Sequence, residues 1–166
     1  RNVRVTYLYS VIREILFGEV VDAYMPGEKL VANGPIFEKP EGVASKWKAK
    51  WVVGINTSEE MEVIEVSIVN KKFSAGSYQM YAKVYQCKVW IFDAVKGEYA
   101  VDYISVIQED AKAEYETLMK QAKRLAKNAR NKSAWVSYYN MQKWSAEVGY
   151  NYAVTCHKAQ GSTYRN

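Results

Sequence analysis

Apolar residues recur at helical spacing at the start of the chain, where Val5, Leu8, Ile12, Ile15 and Leu16 predict a helix that Gly18 stops. Arg13 and Glu14 fall on its predicted solvent face. The period then changes. Met25-Pro26-Gly27-Glu28 reads as a turn, Lys29-Leu30-Val31-Ala32 as a short strand, and Asn33-Gly34-Pro35 as its break. Glu38 to Ala49 is polar, carries Pro40 and Gly42, and reads as a loop. After the turn Asn56-Thr57-Ser58-Glu59-Glu60, the run Met61 to Val69 alternates: Ile64, Val66 and Ile68 against Glu65 and Ser67. That period of two marks a strand with one buried face.

Lys71 to Ser77 reads as a turn or loop, and Gln79 to Phe92 as a long strand whose parity shifts near Cys87, which predicts a bulge or bend. Lys96-Gly97 predicts a tight hairpin into Glu98 to Val106, where Tyr99, Val101 and Tyr103 face one way. Gln108 to Arg130 is the strongest helix: Tyr115, Leu118, Ala122, Leu125 and Ala129 form one stripe. Its acids come early and its bases late, as the helix dipole favours. Asn131-Lys132-Ser133 breaks it, with Ser133 the expected N-cap of a second helix, Ala134 to Ala146. Trp135, Tyr138, Tyr139 and Trp144 in that helix read as core in preference to platforms for stacked bases. Antiparallel strands framed by helices predict an α+β fold.

Composition narrows the classes. The chain of 166 residues is 49% hydrophobic, enough for one domain core, and no apolar run approaches a membrane span. Cys87 and Cys156 sit in unrelated contexts, so neither a disulfide framework nor a zinc site is indicated, and free thiols fit a reducing cytosol. His157 is the only histidine, which excludes a multi-histidine metal site. The net charge of +5 is unevenly spread: between Thr117 and Ala146 there is no acid, yet Lys120, Lys123, Arg124, Lys127, Arg130, Lys132 and Lys143 all occur. A solvated helix face and a phosphate-tracking surface both account for this. Lys46, Trp47, Lys48, Lys50 and Trp51 mix cations with indoles, as single-strand binders do, and a loop anchor explains the tryptophans equally well.

The most specific chemistry lies at Tyr152-Ala153-Val154-Thr155-Cys156-His157-Lys158-Ala159-Gln160-Gly161-Ser162-Thr163. A short apolar run leads into a hydroxyl, an imidazole, an ammonium, an amide and a glycine, groups suited to phosphate oxygens and close backbone approach. This stretch resembles motif V of the superfamily-one DNA helicases of the RecD and Dda type, whose signature is Thr-x-His-Lys-x-Gln-Gly-Ser. Asn2, Val5, Leu8, Ile12, Arg13 and Phe17 are similar to the helix after motif IV in the same helicases. Pro26 to Val31 is similar to the first strand of their inserted domain, and Asn56 to Glu59 to a turn in which Ser58 stands where the family has glycine. Trp135, Tyr138 and Tyr139 resemble the aromatics upstream of motif V. The likeness is tight over Tyr150 to Tyr164, moderate over Val3 to Phe37 and faint between.

The resemblance implies a small antiparallel SH3-like β-barrel inserted in a partial RecA-like domain. Residues 1–18 would belong to the second RecA-like domain, 19–131 to the inserted barrel with a helical arm, and 132–166 to the returning RecA-like chain. Thr155, His157 and Lys158 would contact single-stranded DNA, joined by Lys123, Arg124 and Lys127 of the arm, while Gln160, Gly161 and Ser162 would couple to the nucleotide. No Gly-x-x-x-x-Gly-Lys-Ser/Thr loop occurs, so the chain is expected to be part of a 5′-to-3′ helicase and to lack ATPase activity alone. ATP and Mg²⁺ would bind the parent protein through its first RecA-like domain, in the cytoplasm of a bacterium or a phage-infected cell. No catalytic residue is expected here.

Two rival readings remain. Cys156 beside His157 suggests a thiol hydrolase, but neighbours in an extended segment point to opposite faces. A stand-alone SH3-like interaction module would explain the aromatic content (14 Tyr, 5 Trp) and leave the terminal motif idle.

Overall fold

The computed structural model describes residues 3–19, 22–38, 51–93, 96–129 and 132–152. Along them run α1 (Val3–Phe17), β1 (Lys29–Ala32), β2 (Ile36–Glu38), β3 (Val52–Ile55), β4 (Glu60–Ala75) and β5 (Tyr78–Asp93), then β6 (Glu98–Ile107), α2 (Glu109–Ala129), α3 (Lys132–Trp144) and β7 (Val148–Tyr150). The fold is α+β. A five-stranded sheet has the order β6-β5-β4-β1-β7, β2 pairs with β3 separately, and every pairing is antiparallel.

Turn chemistry sets the local frame. Gly18, at φ 72°, ends α1 with its N–H on the Glu14 carbonyl, and Gly27, at φ 86°, follows Pro26 in the turn before β1. β4 does not stop near Lys71 as its polar residues suggest. It runs on to Ala75, so that two strands of 16 residues, each roughly 50 Å long at about 3.3 Å per residue, form one long hairpin. The reason is cover: α2 lies against the distal end and buries Phe73 and Ala75. Gly76 makes the tip at φ 63°, where a Cβ would sit 2.9 Å from Leu125 Cδ1 of α2.

The hairpin serves two cores on opposite faces. Tyr85, Cys87 and Val89 pack with Leu30, Met61, Val63, Ile104 and Val106. Met80, Ala82 and Val84 pack instead with Tyr115, Leu118, Ala122 and Met141 of the helices. The buried face therefore switches between Val84 and Tyr85, both buried, without any register shift in β5 against β6. A bulge lies further along the hairpin, in β4 between Val63 and Glu65, opposite Val89 and Lys88. It also undoes the expected inward row: Met61 and Val63 are buried, whereas Ile68 is 45% exposed.

In α2 the buried stripe is Tyr115, Leu118, Ala122 and Ala126, with Leu125 half-buried and Ala129 exposed. The Tyr115 hydroxyl donates to the Met141 carbonyl at 2.7 Å and joins α2 to α3. Ser133 lies in the first turn of α3 rather than at its cap. Leu8, Ile15 and Leu16 of α1 are exposed, and Arg13, expected on the solvent face, turns inward.

The sheet curls. Ala146, just before β7, donates its N–H to the Ser105 carbonyl of β6 at 2.8 Å, and Ser145 Oγ accepts the Ile107 N–H at 3.3 Å. The strands at the two edges of the sheet are thus brought within reach through a few bonds. Among the described residues they do not pair as a ladder. The β2–β3 pair packs against the sheet, with Ile36 and Ile55 buried in the first core.

Candidate nucleic-acid interface

The basic arm is built by the amphipathic period of α2. Burial of Leu118, Ala122 and Ala126 turns Lys123, Arg124 and Lys127 outward, and all are exposed. Lys123 Nζ stands 5.9 Å from the Tyr138 ring of α3, so one of these cations is held beside an aromatic face. Trp135, Tyr138 and Tyr139 form a ring cluster of their own, with Trp135 and Tyr139 stacked at 5.8 Å. Tyr138 and Trp144 reach the second core, while Tyr139 is 48% exposed, so only part of this aromatic set is core.

Thr155, His157, Lys158, Gln160, Gly161 and Ser162 lie outside the described residues, as do Lys46, Trp47, Lys48 and Lys50. The approach to the motif is described. β7 pairs with β1 through Leu30↔Tyr150 and Val31↔Gly149, and the Lys29 N–H donates to the Tyr152 hydroxyl at 3.2 Å. That hydroxyl donates in turn to Glu28 Oε1 at 3.4 Å. Glu28 is fully buried, and Arg13 Nε donates to the same carboxylate at 2.6 Å. Burial disfavours the Arg13 charge, yet the hydrogen bond to Glu28 and the nearby Tyr150, Glu28 and Tyr152 leave its pKa raised. Burial likewise pushes the Tyr150 hydroxyl up to about 12.

A groove that sequence reasoning did not assemble lies between the β2–β3 hairpin, β6 and α3. Its volume is about 440 Å³, and Phe37, Glu38, Trp51, Lys71, Tyr103 and Trp144 line it, over a floor that includes Ile36 and Ala146. Trp51 Nε1 donates to Asn140 Oδ1 at 2.7 Å. Lys71 Nζ lies 4.1 Å from the Trp144 ring, and Lys143 Nζ lies 4.8 Å from the Phe37 ring. The mixed cations and indoles around Trp51, and the common face of Tyr99, Val101 and Tyr103, were the traces of it in the sequence. Its other walls come from segments far apart in the chain.

No protein-family model matches the chain, and a search of the curated proteins gives no match either. Among the described residues no three His, Cys, Asp or Glu side chains gather to hold a metal ion, and no helix is long and apolar enough to cross a membrane. Cys87 is buried, and burial, with the Glu28 charge adding to it, pushes its thiol up to about 12, so it has no nucleophilic character near neutral pH.

Proposed function

We propose that this chain is part of an ATP-dependent 5′-to-3′ DNA helicase of the superfamily-one RecD/Dda type, contributing single-strand contacts and coupling them to the nucleotide site. The observation that carries the reading is the run Thr155-Cys156-His157-Lys158-Ala159-Gln160-Gly161-Ser162. Thr155, His157 and Lys158 meet phosphates, and Gln160, Gly161 and Ser162 face the triphosphate. Position and charge are their contribution, since none breaks a bond.

Other features support it. A curled antiparallel sheet whose far strands approach through Ala146 and Ser105 suits an SH3-like barrel. The exposed apolar residues of α1, with Ile15 77% exposed, suit a helix covered by the remainder of a RecA-like domain. ATP and Mg²⁺ are then held by the first RecA-like domain of the same polypeptide, in the cytoplasm.

The test is ATP hydrolysis. The intact protein hydrolyses ATP in a manner stimulated by single-stranded DNA, and His157→Ala reduces that stimulation. The chain alone hydrolyses none. Turnover by the chain itself, abolished by changing one of its own residues, overturns the reading. The aromatic groove favours a second reading, a stand-alone SH3-like protein-interaction module, for which binding of proline-rich peptides is the discriminating result.

A further inference from the structure

The distal half of the β4–β5 hairpin has one face buried under α2 and the other turned to solvent. We propose that the solvent face, built from Asn70, Lys72, Ser74, Gln79, Tyr81 and Lys83, is a contact surface for double-stranded DNA, laid into the major groove.

Alternation builds this face. Phe73, Ala75, Met80, Ala82 and Val84 are buried in the second core, so the residues between them point the other way. Asn70, Lys72, Ser74, Gln79 and Lys83 are exposed, and Tyr81 is 63% exposed. The register sets them side by side as Asn70↔Lys83, Lys72↔Tyr81 and Ser74↔Gln79. β6 ends at Ile107 opposite Val84, and β1 pairs with β4 only from Glu60 to Glu62. Among the described residues the sheet is therefore two strands wide here.

Its charge has one sign. Between Glu65 and Asp93 the chain carries Lys71, Lys72, Lys83 and Lys88 and no acid. Neither Lys72 nor Lys83 makes an ion pair among the described residues. Lys72 Nζ stands 5.9 Å from the exposed Tyr81 ring. Glu109 starts α2 just after the Gln108 N–H meets the Lys83 carbonyl, and its carboxylate is held by Lys112 Nζ at 2.5 Å. Behind the ribbon, Thr117 to Ala146 adds no acid either. Such a one-signed surface draws a polyanion.

Shape then selects the duplex. Tyr81 is the single ring among the six side chains, whereas single strands are held on successive rings. A two-stranded ribbon, its strands about 4.8 Å apart, fits a major groove about 12 Å wide. Asn70 to Ser74 spans about 13 Å, the rise of about four base pairs. Lysine, serine and tyrosine are partners for phosphate, and asparagine and glutamine also for base edges. Because α2 braces the other face, little ordering is lost on binding. An acidic peptide would engage the two lysines and leave the amides and hydroxyls between them unused.

The test follows the anisotropy of a short labelled duplex titrated with the full chain over a series of salt concentrations. Lys72→Gln and Lys83→Gln are each expected to lower the magnitude of the salt slope by about 0.9, and the double variant by about 1.8. Both lysines are exposed, so the fold persists, and circular dichroism checks it. Oligothymidylate measured alongside keeps its slope in these variants, and His157→Ala leaves duplex binding unchanged. An unbound duplex, or the parent's slope in the double variant, overturns the proposal. An equal loss of slope with oligothymidylate overturns it too, because the face would then be a single-strand surface. So does poly-glutamate that displaces the duplex as well, charge for charge, as unlabelled duplex does. Duplex binding lost with His157→Ala assigns the DNA to the terminal motif and has the same consequence.

Discussion

Arg13 Nε donates to Glu28 Oε1 at 2.6 Å, and this pair joins α1 to the turn before β1 beneath the ring of Tyr150. The Glu28 side chain is 0% exposed and that of Arg13 11%. Every face of the pair is occupied: Arg13 Nη2 donates to the Asp22 and Ala23 carbonyls and to Glu28 Oε2, which also accepts the Met25 N–H. Such a pair gives little net stability over a well-packed apolar one, because desolvation offsets the attraction. What it gives is geometry. Tyr152, the last described residue before the motif, is bonded to the same carboxylate.

Removing one partner strands a buried charge. Glu28→Ala is expected to destabilise the fold by about 3–5 kcal/mol, while the double change Arg13→Met with Glu28→Leu costs much less than the sum of the singles. Urea denaturation of the four proteins in the cycle measures both. Additive losses would show that the pair does not act as a unit.

Ser58 holds φ 68°, the left-handed region, in the turn between β3 and β4. Its N–H still donates to the Ala32 carbonyl at 2.8 Å, and a glycine keeps that bond. Ser58→Gly relieves a left-handed cost of about 1–2 kcal/mol and adds some chain entropy to the unfolded state. The expected outcome is a gain of about 0.5–1 kcal/mol, read as a higher urea midpoint at unchanged slope.

Alkaline pH should weaken the fold. Burial raises Cys87 from 9.0 to about 12 and Tyr150 from 10.0 to about 12, and it also raises Tyr24 and Tyr115. A raised pKa means the folded chain holds its protons more tightly. The stabilisation is therefore complete below about 9 and lost as pH climbs towards 12. Urea midpoints measured across that window should fall steadily, and Cys87→Ala should remove part of the fall. A flat profile would contradict the burial of these groups.

The basic arm is testable by its salt dependence. If Lys123, Arg124 and Lys127 track phosphates, replacing all three with glutamine lowers the magnitude of the salt slope for single-stranded DNA by about 2. A merely solvated face leaves it unchanged. Since the three are exposed and α2 is held by Tyr115, Leu118, Ala122 and Ala126, the fold survives the change, and circular dichroism checks that.

Much of the element order was legible because its causes are local. Gly18, Gly27 and Gly97 adopt the positive φ that turns require, and the strong period of α2 survives as its buried stripe. The run around His157 lies outside the described residues. Other features were invisible for a shared reason. Arg13 reads as solvent-facing until Glu28, 15 positions away, is folded against it. Lys71 to Ala75 reads as a loop until α2 covers Phe73. The parity of β5 makes sense only with a core on each face, one on either side of Val84 and Tyr85. The groove needs Phe37, Tyr103 and Trp144, which no short window contains. The sequence by itself determined the three helices and the turns at Gly18, Gly27 and Gly97, since those depend on φ and on near neighbours. Only the tertiary structure decided which face of each element is buried, because burial belongs to whatever segment packs against it.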